Sequence, residues 1–191
     1  VQVIKTRLKA LQRRAPRARR LRRIGVSAAA WARTGCNPVI YGTETMGLSD
    51  SMLLDARRAF TPTFAAPGGG KNLEALYWAE DAAHCRTDPA FLAHVAPIKM
   101  WAKAKWDEWM TRAMAQSVWS DARARLGDAK CVWSAARGPV ASAVASMWRL
   151  GWNTTDDPYT VTDDLGVPLS FAVDSPAQVE KLVRESVHRW R

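Results

Sequence analysis

The sequence predicts a mainly α-helical fold, an irregular multi-helix bundle with one β-hairpin near residues 159–173. Three observations predict it. Apolar residues recur every three or four positions through most of the 191 residues. Proline and glycine stand where helices begin and end, as at Asp88-Pro89, Gly138-Pro139 and Ser175-Pro176. Only after Trp152 does the apolar period fall from about 3.6 to about 2.

The first element is the most unusual. Eleven Lys or Arg residues lie between Lys5 and Arg33, and no acidic residue appears before Glu44. The chain carries 28 basic and 18 acidic residues, so without those eleven it holds 17 against 18, and the formal net charge of +10 belongs to the N-terminal stretch. Ile4, Leu8 and Leu11 are spaced for one helix, which Pro16 is expected to interrupt. From Arg17 the pattern resumes through Leu21, Ile24, Ala28 and Trp31, predicting a second helix that passes Gly25 and stops at Gly35. On it Arg17, Arg20 and Arg23 can share a face. Helices this rich in like charge repel themselves, and a phosphate backbone relieves the repulsion.

Asn37-Pro38 opens a short segment from Val39 to Met46, and Ser49 caps a helix expected to reach Phe60. Residues 61–71 read as a flexible Pro/Gly loop. Its Gly68-Gly69-Gly70-Lys71 run lacks the first glycine and the following Ser or Thr of a phosphate-binding loop. Asn72 then caps a helix to about His84. Asp88-Pro89 starts another, which Pro97 is expected to break ahead of the longest helix, with an apolar stripe of Ile98, Trp101, Ala102, Trp106, Trp109, Met110 and Ala113. A continuous stripe of this kind reads as a packing face rather than a platform for stacking bases. A helix around Ser117–Leu126 ends at Gly127, and one opened by Gly138-Pro139 closes on Gly151. Tyr159 and Val161 alternate before Asp163-Asp164-Leu165-Gly166, and Val167, Leu169, Phe171 and Val173 after it, which predicts the hairpin. Ser175-Pro176-Ala177-Gln178 is a capping box for a last helix burying Val179, Leu182, Val183, Val187 and Trp190.

The 48% apolar content can fill one core or two small ones. No run of about 18 uncharged apolar residues exists to cross a membrane, and the basic start lacks the apolar stretch of a signal peptide. The chain opens on Val1 and reads as a piece of something longer. Cys36, Cys85 and Cys131 are odd in number and widely separated, which suits reduced thiols in an intracellular setting. A zinc site of His84, Cys85, His94 and Cys131 lacks the two-to-four-residue ligand spacing of structural sites.

Adjacent aspartates at a tight turn, as in Asp163-Asp164, can hold a divalent metal against phosphate. A two-metal site also needs a carboxylate from an earlier strand, and nearly everything before the hairpin reads as helix, with no earlier strand to carry one. The pair is therefore read as turn chemistry, with no catalytic and no metal-binding residue assigned.

Ile40-Tyr41-Gly42-Thr43-Glu44-Thr45-Met46-Gly47, after an Arg-rich helix and a small-residue helix ending in Gly35, resembles the stretch following the polymerase palm in reverse transcriptases of LINE-type (non-LTR) retrotransposons. Asp88-Pro89-Ala90-Phe91, Gly138-Pro139-Val140 to Leu150-Gly151-Trp152, and Thr162-Asp163-Asp164-Leu165-Gly166 are similar to the region that follows in retroelement polyproteins of the kind abundant in dinoflagellate genomes. The resemblance implies a basic, thumb-like helical region at 1–60, the loop at 61–71, and a helical connection region at 72–191 bearing the hairpin and last helix. It implies an RNA-directed DNA polymerase as the parent chain, nuclear in location, whose catalytic aspartates and Mg lie in a palm before Val1. This segment then has no cofactor and no activity of its own. Its partners are the upstream palm and the template–primer backbone. The phosphate contacts expected are Arg13, Arg14, Arg17, Arg19, Arg20, Arg22 and Arg23, with Lys5, Arg7 and Lys9 secondary. The alternative is a helical protein-interaction module with a solvated basic arm.

Overall fold

The structure, a computed structural model, describes residues 2–26, 39–64, 70, 72–81 and 88–191. In chain order its elements are α1 (Gln2–Arg23), α2 (Thr43–Met46), α3 (Asp50–Phe64), α4 (Leu73–Asp81), α5 (Pro89–Trp106), α6 (Arg112–Gly127), α7 (Val132–Ala135), α8 (Pro139–Arg149), β1 (Asn153–Thr154), β2 (Thr160–Thr162), β3 (Pro168–Ser170) and α9 (Pro176–Trp190). The fold is mainly helical with one small antiparallel sheet, as the sequence predicts. Two compact units emerge: Val1–Tyr41 with Ser49–Leu92, and Gly42–Leu48 with Ala93–Arg191.

In the first unit α1 packs on α3, and α3 on α4. Ile4, Leu8, Leu11, Ala15 and Ala18 are the buried positions of α1, alternating four and three apart as a packing seam requires. Ser49 caps α3, its hydroxyl accepting from the Met52 N–H at 3.4 Å. Asn72 caps α4 through its side-chain oxygen, which accepts from the N–H groups of Glu74 and Ala75 at 2.9 and 3.2 Å.

Arg57 is the buried cation of this unit among the described residues. Its guanidinium holds Glu74 in a fork of 2.5 and 2.7 Å, meets Asp88 at 3.0 Å, and lies 5.2 Å from the centre of the Tyr77 ring. Burial disfavours its charge, but the hydrogen bond to Glu74 and the charges of Asp88 and Glu74 outweigh that and raise its pKa.

The second unit is organised around α8, where Ala141, Ser142, Ala143, Val144, Ala145, Ser146 and Met147 are all buried. Helices α2, α6 and α7 pack against it. Gly47 sits beside it with φ +62°, and a Cβ there would run into the Trp133 ring. Four tryptophans pin the chain that leaves α8. The indoles of Trp148, Trp152, Trp119 and Trp101 donate to Thr154 Oγ1, Ser186 Oγ, the Thr155 carbonyl and the Pro158 carbonyl at 2.8, 2.8, 2.9 and 3.2 Å. Each of these rings, three buried and Trp148 half-buried, thus keeps its polar edge satisfied. The sheet has the order β1-β2-β3, with Val161 opposite both Thr154 and Leu169. The capping box of α9 forms as expected from Ser175 and Gln178.

Several expectations are corrected. Helix α1 runs unbroken through Pro16. An interior proline costs about 3 kcal/mol, but burying Ile4, Leu8 and Leu11 in one seam returns about 1.5–3 kcal/mol for each. Pro16 and Gln12 are both exposed, so the carbonyl that loses its donor can face water. The helix also ends at Arg23, not Gly35. Gly25 takes φ +87° and the Val26 N–H reaches the Leu21 carbonyl at 3.0 Å, a left-handed stop. The rest of the predicted second helix lies outside the described residues.

Helix α3 continues through Thr61–Phe64, four residues expected in the loop. Positions 65–69 and 71 lie outside the described residues. Pro97 does not break α5 either, since Val95, Pro97, Ile98 and Trp101 around it are buried. That helix stops instead at Trp106, because Glu108 adopts φ +51° and the Trp109 N–H bonds the Ala104 carbonyl at 3.0 Å. The apolar stripe is therefore core only in part: Ile98, Trp101 and Ala102 are buried, whereas Trp106, Trp109 and Ala113 are exposed. Leu182 is half-buried and Trp190 exposed on α9. The hairpin gains a third strand, the two-residue β1, too short to show a period.

Candidate nucleic-acid interface

The site begins with the helical period of α1. Its seam residues face α3, and positions opposite that seam fall to Lys9, Arg13, Arg17 and Arg20, three or four apart. At 1.5 Å rise per residue this line is roughly 16 Å long. All four are exposed, as are Lys5, Arg14 and Arg23. None of these seven forms an ion pair with a described residue.

The other three predicted contacts separate from this group. Arg7 is half-buried and donates to the Tyr41 carbonyl at 2.7 Å, with its guanidinium 5.6 Å from the centre of the Tyr41 ring. Arg19 is half-buried. The Arg22 side chain lies outside the described residues. Thus Arg17, Arg20 and Arg23 do stand together in solvent, while Arg7 is tied to the Tyr41 turn.

The aspartate pair is consumed by the fold. One oxygen of Asp163 accepts from the N–H groups of Leu165 and Val167 at 2.9 and 2.8 Å. Asp164 accepts a fork from Arg189 at 2.5 and 2.7 Å and a further bond from the Ser186 hydroxyl. The Arg189 hydrogen bond, supported by Ser186 and opposed by burial, holds the Asp164 carboxyl at about 2. These are the contacts of a turn locked to α9. Among the described residues no three His, Cys, Asp or Glu side chains gather as metal ligands. Of the conceivable zinc ligands, His94 is buried beside the Trp190 ring and Cys131 is exposed, while His84 and Cys85 lie outside the described residues. No helix among the described residues is long and apolar enough to cross a membrane.

No protein-family model, no curated protein and no solved structure matches the chain.

Proposed function

We propose that this chain is a non-catalytic, nucleic-acid-gripping segment, the thumb and connection region of a retroelement RNA-directed DNA polymerase, which binds the template–primer backbone through α1. One observation carries the reading: a 22-residue helix, without an acidic residue, keeps opposite its buried seam a line of cations that form no ion pair with a described residue. Such a face suits a surface of regularly spaced negative charge, and it reads no base sequence. Lys9, Arg13, Arg17 and Arg20 form the centre of the grip, with Lys5, Arg14 and Arg23 at its edges. The palm that would hold Mg and the catalytic carboxylates is assigned to the parent chain.

The test is the salt dependence of duplex binding. With about six phosphates engaged, log affinity falls with log salt at a slope of roughly −5, independent of sequence. Changing Arg13, Arg17 and Arg20 together to Gln should flatten the slope to roughly −2 to −3. A slope near zero for the unaltered chain, or an unchanged slope in the triple variant, overturns the reading.

A further inference from the structure

The bend between α5 and α6 holds a cleft of about 450 Å³, within the size range of small-molecule sites. Lys105, the penultimate residue of α5, lines it. This side chain is only 5% exposed, and its ammonium makes no hydrogen bond to any described residue. It rests 4.5 Å from the centre of the Trp101 ring and 5.1 Å from that of Tyr159. Burial lowers its pKa. A buried ammonium that rests against two rings and has no hydrogen-bond acceptor among the described residues lacks the acceptors it had in water.

The same cleft collects further groups that favour negative charge. Arg112, exposed, lies 5.3 Å from the centre of the Tyr159 ring, so that two cations border one aromatic ring. Thr111 and Arg112 begin α6, a 16-residue helix with no acidic residue in its first turn, and the N–H groups of a first turn attract anions. Thr111 uses its oxygen to accept from the Met114 N–H at 3.3 Å, which leaves its hydroxyl proton available. Trp106 lines the cleft and is 47% exposed, offering a flat face. Glu108 is the single carboxylate on the wall.

We propose that this cleft is a nucleotide site, in which a phosphoryl group is held by Lys105, Arg112 and the start of α6 while the base stacks on Trp106. The phosphate supplies the acceptors that Lys105 lacks, and stacking on an exposed aromatic ring is tolerant of base identity. The nucleotide can be free or the terminal residue of a strand. The site lies wholly within the second unit and does not depend on the reading of α1.

Calorimetric titration of the full chain with adenosine monophosphate, adenosine, inorganic phosphate and a 5′-phosphorylated trinucleotide tests it. Adenosine monophosphate should bind more tightly than either half-ligand. Charge-assisted hydrogen bonds of this kind imply that Lys105→Met and Arg112→Gln each weaken it about tenfold or more. Glu108→Gln should tighten it, and the Arg13, Arg17, Arg20 to Gln variant should leave it unchanged. Binding of the trinucleotide as well identifies a strand-end site, and its exclusion identifies a free nucleotide; either supports the proposal. Arg112 is on the surface, so its variant tests the site even if Lys105→Met misfolds. Binding no tighter than phosphate alone, binding indifferent to Arg112→Gln, or binding lost with the α1 variant overturns it.

Discussion

Helices α1 and α9 are built alike and finished differently. Each buries one apolar seam, Ile4 to Ala18 in the first and Val179, Val183 and Val187 in the second. On α9 the polar face is neutralised within the fold. Glu180 receives Lys99 at 2.5 Å and Arg184 at 2.7 Å, and Arg189 closes on Asp164 at 2.5 Å. On α1 no carboxylate interrupts the cations, and seven of them face solvent. Pairing on α9 holds the sheet turn and α5 to the helix, which is a structural result. Seven cations on α1 without an ion pair among the described residues cost stability through like-charge repulsion, which makes sense where an outside polyanion completes the face.

The largest effect expected concerns a cation that cannot be spared. Arg57→Met leaves Asp88 buried without its guanidinium and should destabilise the chain by about 3–5 kcal/mol, read as a lower midpoint in urea unfolding. If loss of Arg57 proves as mild as loss of Arg17, the contrast between internal and external cations collapses. Next is the Asp164 lock. Its carboxyl lies at about 2, below the ordinary 3.8, so its contribution is complete above roughly pH 4 and disappears as pH falls through about 2. Because Arg189 is one-third exposed, the contribution is on the order of 1–2 kcal/mol. Asp164→Asn should lower stability at pH 7 by that amount and flatten the acid limb of the stability profile.

A smaller and opposite effect sharpens the comparison. Arg17→Gln on α1 should raise stability by a few tenths of a kcal/mol through relief of repulsion, while duplex affinity falls. Replacing Glu108 by Gly, the residue used at the equivalent stop of α1, should gain about 0.5–1 kcal/mol in thermal unfolding, since only a non-glycine residue strains at φ +51°. A neutral or negative result there would mean that the Glu108 side chain contributes more than its backbone conformation costs.

Local chemistry was legible wherever it closes within a few residues. The capping box at Ser175, the proline start at Pro139 and the stop at Gly151 are all formed, because a cap needs only its own turn. The basic density of the first helix and the shared face of Arg17, Arg20 and Arg23 were legible, as charge and period are sequence properties, but the continuous line from Lys9 to Arg20 was not, because it needs the helix to pass Pro16. Breaks at Pro16 and Pro97 were misread, since a proline's penalty is local while the burial that exceeds it comes from elements far along the chain. The stop at Glu108 carried no glycine to mark it. The cleft at the α5–α6 bend had no motif, because Lys105 and Tyr159 meet only through folding.

Sequence alone thus determined the mainly helical class, most helix starts, where the turn at Asp163–Gly166 falls, and that the charge is gathered at the start of the chain. Those follow from period, caps and composition, which act over a few residues. Tertiary structure decided which prolines are tolerated, which tryptophans peg the core and which stand in solvent, and which cations are paired. Those outcomes depend on burial and on partners distant in sequence, as with Arg57 between Glu74 and Asp88 or Arg189 on Asp164.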